Sequence, residues 1–397
     1  MLSIRPAEFG SQPEDSRGTV TVGPAIVQPT GAGVPFANPV AYREIEKPET
    51  TQSTVRHEVL MAAHEGSEHA ADAEAHGIGD ATLEQLRADL VRLSAEFDTG
   101  QPFAVFLDLR RVRERVYRLL DRHLWPGEQS ELYFCLGVIN GLMGLTADHL
   151  GYPESAEELI RSGWAYALAI DHRPLLAQLR LQLSTTAYWR GNTRRSRDLA
   201  ADGLRYLDSG PAAADLHLKL ARAHAALGDV DSARRSVNAA HEARERAHHD
   251  ELLELGGEFA VSLATHHYFA GTALVAVNGA EFEAAAEIER AISLYDAGPQ
   301  PGEQHYFGTK ALARIDLAAI RLRSGALDAA ATTLQPVLAL PTGQRTTHLG
   351  SQLKLVRTEL AAPIFRTSAE AHRLDEQIEE FTSDSVTGLH VLPGGPA

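Results

Sequence analysis

One spacing recurs along this chain and leaves little choice of fold. In "LKLARAHAALGDVDSARRSVNAA", Gly228 is preceded by Leu220 and Ala221, eight and seven residues earlier, and followed by Ala233 and Ala240, five and twelve residues later. The same frame fits Gly191 (Leu183, Ser184, Ser196, Gly203), Gly151 (Met143, Gly144, Ala156, Gly163) and Gly325 (Leu317, Ala318, Ala330, Val337). A fifth, weaker copy turns at Ala280, with Ala273, Ala285 and Ile292, but it puts Thr272 where a leucine is expected. Two helices approach closely only where both present small side chains, and a glycine between them ends the first helix and makes the turn.

This is the pattern of tetratricopeptide (TPR) repeats, a helix–turn–helix with a small residue in each helix. The turn positions lie 37 to 52 residues apart, against ~34 in the standard unit. The expected fold is therefore all-α: a TPR-like, right-handed helical-repeat solenoid of lengthened units, with a concave groove lined by the first helix of each pair. Helical periodicity starts earlier, at Leu83, Leu86, Leu90, Leu93 and Phe97, with Asp80 or Thr82 as the cap. A second amphipathic stretch follows, with Phe103, Phe106, Val112, Val116, Leu119 and Leu120 on one face and "WPG" at 125–127 expected to stop it. Residues 82–385 are assigned to the solenoid, 54–81 to a linker and 386–397 to a frayed tail. Residues 1–53 are expected to be an irregular or disordered arm, because seven prolines fall in the first 50 residues.

Composition limits the partners. The net charge of −16 repels nucleic acid and anionic membrane. The single cysteine, Cys135, rules out a disulfide within the chain and a thiolate cage, and it lies in apolar "LYFCLGV", which reads as core packing. The start has no apolar segment of signal-peptide length, and the longest apolar run, 134–145, contains Asn140 and is too short to span a membrane. A cytoplasmic location and no membrane association are expected.

Candidate chemistry is sparse. "MAAHEGSEHA" suggests the zinc helix H-E-x-x-H, but His64 and His69 are five apart and diverge by roughly 140° on a helix. The pairs His248/His249 and His266/His267 point apart on a helix; the second is read as one buried and one groove-facing histidine. The basic run Arg110, Arg111, Arg113, Arg115, Arg118 is interleaved with Asp108, Glu114 and Asp121, with Glu114 set to pair with Arg118, so it reads as a solvated charged face or a docking face. No nucleophile elbow, phosphate loop or dinucleotide fingerprint occurs. No catalytic residue, cofactor or metal is therefore assigned, and the chain is not read as an enzyme.

The groove remains as the site. Positions three, ten and thirteen before each turn, with those six before, give Asp148, Gln178, Leu181, Thr185, Tyr188, Asp215, Leu218, Arg222, Ala225 and His267. Their mixture of polar and aromatic types suits a peptide, small-molecule or protein ligand.

Several long segments, among them "TLEQLRADL", "RVRERVYRLLDRHLWPGEQSELY", "LGYPESAEELIRSGWAYALAIDHRPLLAQLRLQLSTTAYWRGNTRRSRDLAADGLRYL" and "VLPGGPA", resemble the carboxy-terminal region of actinobacterial helix-turn-helix transcriptional regulators of the Xre class. The likeness covers about residues 60 to 397. It implies a regulatory domain that binds a ligand or a partner, possible homodimerisation, and an amino-terminal DNA reader in the relatives. Residues 1–53 have no recognition helix pattern, so direct nucleic-acid binding is not carried over; either the reader is lost or an upstream coding segment precedes Met1. The alternatives are a constitutive TPR adaptor for protein partners and a metal-dependent hydrolase.

Overall fold

The computed structural model describes residues 77–383 apart from 247–248, 276, 278–279 and 300–304, together with a few helical positions between 58 and 66. The chain divides into two compact units, 1–65 and 66–397. The expected arm, the His64/His69 motif, His248 and the tail lie outside the described residues.

The second unit is all-α, with no strand among the described residues. Its helices are α1 (Asp80–Thr99), α2 (Pro102–Leu120), α3 (Pro126–His149), α4 (Pro153–Ala169), α5 (Arg173–Trp189), α6 (Thr193–Gly203), α7 (Gly210–Ala226), α8 (Val230–Glu245), the short α9 (Glu251–Glu254), α10 (Leu263–Val275), α11 (Glu281–Ala297), α12 (Phe307–Arg323), α13 (Leu327–Leu338), α14 (Thr347–Leu360) and α15 (Ala369–Ser383). Each of the pairs α3/α4, α5/α6, α7/α8, α10/α11 and α12/α13 packs along its length, and each first helix also meets the first helix of a neighbouring pair. A sixth pair, α14/α15, is joined through a 3-10 turn at Pro363–Phe365. It lies beyond the sequence frame because no glycine marks its turn.

The four turn glycines all adopt left-handed backbone, with φ of 90° at Gly151, 74° at Gly191, 81° at Gly228 and 80° at Gly325. Each closes its helix with the same two hydrogen bonds, as in Gly228 N–H to Ala225 C=O (3.0 Å) and Asp229 N–H to His224 C=O (2.9 Å). These bonds satisfy carbonyls the helix end leaves open. The seams are as tight as the small residues imply. Ala221, Ala233, Ala318 and Ala330 are wholly buried, and the Ser184 and Ser196 hydroxyls meet at 3.0 Å. A methyl added at Gly144 would collide with Ile160 Cγ1 and lie 3.0 Å from the Ala156 carbonyl oxygen. Gly144→Ala is accordingly expected to lower stability by about 2 kcal/mol, against about 1 kcal/mol for Gly228→Ala, where only the positive φ is offended and the space is open. Equal losses in chemical denaturation would show that the seam has slack.

The second helix of the fifth copy sits one residue earlier than the sequence frame put it. Helix α11 buries Ala284, Ile288 and Ala291, not Ala285 and Ile292; Ala273 is wholly buried in the same core as Ala284, and Gly271 also approaches Ala284 and Ile288 closely. Shifting the frame by one restores the order small, large, small found in Ala233, Val237, Ala240 and in Ala330, Leu334, Val337.

Three local expectations also change. Gly79, without a side-chain cap, begins α1, and Asp80 lies in its first turn. Pro126 of "WPG" opens α3, as its fixed φ and missing N–H allow; α2 has already ended at Leu120. Glu114 pairs with Arg110 at 3.5 Å, not with Arg118. Helix α3 is long and apolar enough to cross a membrane by composition, and most of it is buried inside the fold. Cys135 is buried there, its thiol pushed up to about 12 by burial.

Candidate functional site

The sequence frame predicted an open groove; α1, α3 and α5 instead meet α12, α14 and the segments leading into them around a cavity. Tyr306, just before α12, stacks on Phe97 of α1 at 5.5 Å and on His149 of α3 at 5.2 Å, and its hydroxyl lies 3.0 Å from His149 Nδ1. Trp189 of α5 stacks on His348 of α14 at 4.3 Å, and His348 Nε2 lies 3.5 Å from an Asp148 carboxylate oxygen. Gln344 donates from its side chain to the Thr99 carbonyl at 3.2 Å. These contacts link positions 150 to 250 residues apart in sequence, which a reading of consecutive repeats does not anticipate.

The cavity has a volume of about 100 Å³, is open to solvent on one side, and takes side chains from α1, α3, α5, α7, α10, α12, α14 and the segment 257–262. The first helix of every pair contributes, as the groove reading required. Of the residues expected there, Leu181, Thr185, Asp215 and Arg222 line it. Asp148 and Tyr188 stand one layer behind. Asp148 accepts from Thr186 at 3.0 Å; burial pushes its pKa up, but His348 and Thr186 prevail and hold it below the usual carboxylate value. Tyr188 carries the Arg222 guanidinium 3.5 Å above its ring. Gln178, Leu218 and Ala225 are buried outside the lining. His266 and His267 are both buried and neither lines the cavity, so the groove-facing position expected of His267 is not taken: His266 meets His241 at 3.0 Å and His267 meets Glu287 at 2.6 Å.

The misplacement has a simple geometry. The inner stripe falls two, six, nine and thirteen residues before the turn, giving His149 and Trp189, Leu145, Thr185 and Arg222, Lys219, and Asp215 and Leu312. A frame set at three is one residue out at that step, about 100° around the helix, and so selects Asp148 and Tyr188 in place of their neighbours, while its ten-before position does place Leu181 in the lining. Phe97, Asp98, Glu258, Thr265, Phe269 and Tyr306 were missed because they lie outside the repeat frame or in its weaker fifth copy.

Charge inside the cavity is unevenly matched. Lys219 Nζ lies 3.0 Å from Asp215 Oδ1 and 3.0 Å from the centre of the Phe269 ring, and burial lowers its pKa to about 8. Arg222 is 7% exposed, and its Nε and Nη2 have no hydrogen-bond partner among the described residues. Asp98, 2% exposed, is pushed up to about 7 by burial. Glu258, on the 3-10 turn Gly257–Phe259, is raised well above the usual value by burial and by the neighbouring Asp98 and Asp215. His149 is pushed down to about 3 by burial and by His348. Among the described residues no three His, Cys, Asp or Glu side chains gather as a metal site. What the arrangement can do is bind: aromatic walls for an apolar body and buried charges for one or two polar groups.

No protein-family model and no curated protein matches this chain.

Proposed function

We propose that the chain is a regulatory ligand-binding domain of TPR-like architecture, and that its ligand occupies the central cavity. The observation that carries this is the set of charged groups lining one cavity, the buried Asp98 and Arg222 and the half-buried Glu258, whose chemistry the surrounding protein leaves incompletely answered. Buried polar groups are ordinarily hydrogen-bonded, and a bound molecule would supply what is missing. The helix pairs with small residues at each seam support the TPR-like reading, and the sequence likeness to Xre-class regulators supports a role in transcriptional control. The ligand would bridge α1 and segment 257–262 to α12 and α14, so that occupancy favours one packing of the ends over another. This signal would pass to a DNA-binding partner or a reader domain, not to DNA through this chain. The cavity suits a small molecule or the end of a peptide better than the extended segment a constitutive adaptor would hold.

The test is a thermal-shift screen of small metabolites and short peptides, repeated on Thr185→Trp, whose indole would fill the cavity from its wall. A genuine ligand should raise the midpoint of the native protein and lose most of that shift in the variant. A ligand whose shift survives in Thr185→Trp binds elsewhere, and tight sequence-specific binding of DNA by the chain alone would contradict the assigned role.

A further inference from the structure

We propose that the ligand carries a protonated amine on an apolar body, with the amine held by the carboxyl groups of Asp98 and Glu258. The inference rests on the ligand-binding reading above and specifies its chemistry.

Asp98 lies in the last turn of α1, where helix carbonyls already concentrate negative charge and an acid is unfavourable. It is almost wholly buried, and it makes no side-chain hydrogen bond or ion pair among the described residues. Glu258 faces the same cavity and the two carboxyls feel each other's charge. The protein's own cations leave Asp98 unanswered: Lys219 sits between Asp215 and Phe269, with its charge also reaching Glu258, and Arg222 lies over Tyr188. Asp98, desolvated and with no cation beside it, next to the half-buried Glu258, is an arrangement that an incoming cation completes. A metal ion would need a larger oxygen set than these residues gather. An organic ammonium brings three donors for the two carboxyls, and its hydrocarbon part would meet Phe97, Trp189 and Leu312 in the same lining. The orphaned nitrogens of Arg222 are a second and independent vacancy; a carbonyl or carboxylate on the ligand would answer them. An apolar amino acid, or a small amine with an acceptor group, fits both.

Matched probes separate the charges: phenethylamine, L-phenylalanine, hydrocinnamate and 2-phenylethanol share one ring and chain length and differ in their polar groups. By calorimetry, phenethylamine and L-phenylalanine should bind and hydrocinnamate should not. The amine should bind more tightly as pH rises from about 6 to about 8, because the Asp98 carboxyl ionises in that range. Asp98→Asn should weaken amine binding by at least about tenfold while the ligand-free protein stays as stable or becomes more so, which separates loss of the site from loss of the fold. Glu258→Gln should weaken the amine in the same direction. Hydrocinnamate binding as well as phenethylamine, unchanged amine binding in Asp98→Asn, or no amine binding with Kd below about 10 mM would each overturn the assignment. If hydrocinnamate or the alcohol binds and Thr185→Trp removes it, the cavity reading stands and only the amine falls; if none of the four binds, the amine falls and the wider screen decides the cavity.

Discussion

Gly257→Ala is expected to destabilise the protein by about 3 kcal/mol or more and to abolish ligand binding in whatever fraction still folds. Two penalties coincide at this position. The backbone is left-handed, with φ of 52°, which an alanine adopts only with strain. The added methyl would also run into the backbone of α1, colliding with the Ser94 carbonyl oxygen and lying 2.5 Å from its carbon. Neither side can yield cheaply. Ser94 is buried and donates its hydroxyl to the Gly256 carbonyl at 2.8 Å. Around that bond Leu90, Leu93, Phe97 and Phe259 share one core. Moving the turn would also move Glu258, the next residue, away from Asp98. Gly228→Ala is the control: φ is 81° but the space is open, so only the conformational penalty of about 1 kcal/mol applies. Chemical denaturation of both variants decides it, and similar losses would mean that the packing of the 257–259 turn on α1 does not constrain the fold.

That turn also shows where the sequence stops being legible. Turn glycines and small seam residues could be read directly, because left-handed backbone and close helix approach each admit few residue types. Gly151, Gly191, Gly228 and Gly325 therefore fell into place together with their partners. The inner stripe was legible to within one residue, and a one-residue error rotates a helix enough to exchange Trp189 for Tyr188. The closure was not legible at all. It depends on "GGEF" at 256–259, which lies in the irregular link between α8 and α10, and on Phe97 and Asp98 of a helix outside the repeats. Nothing local in either segment says that they touch; Ser94 and Gly256 are 162 residues apart. Lys219 could have been found, since it lies four residues after Asp215 on one helical face, the spacing of an ion pair.

Asp98→Asn is expected to stabilise the ligand-free protein near neutral pH and to leave it unchanged near about pH 4, with a difference growing to about 4 kcal/mol by pH 7. In the unfolded chain this carboxyl ionises near 3.8; in the cavity burial pushes it up to about 7. Between those values the unfolded chain has released a proton that the folded chain retains. Each unit rise in pH across the window thus removes about 1.4 kcal/mol of folding stability, and above the folded value the loss is complete and constant. Asparagine has no charge to desolvate and escapes it. His149 and His266 work in the opposite sense. Burial holds both near 3 in the folded protein, so they withdraw stability as pH falls from about 6.5 towards that value. In the native protein the acid and base slopes oppose each other between about pH 4 and 6.5; in Asp98→Asn the histidine slope should stand out, giving a steeper rise towards neutrality. Denaturation midpoints measured across that range for both proteins test the sign and the window together. A difference that does not change with pH would mean that Asp98 is not desolvated in the folded state, and a cation would then gain nothing special by meeting it. If the difference follows the expected window, saturating amine should bring the native protein towards the stability of Asp98→Asn, because an ammonium and an amide substitution relieve the same buried charge.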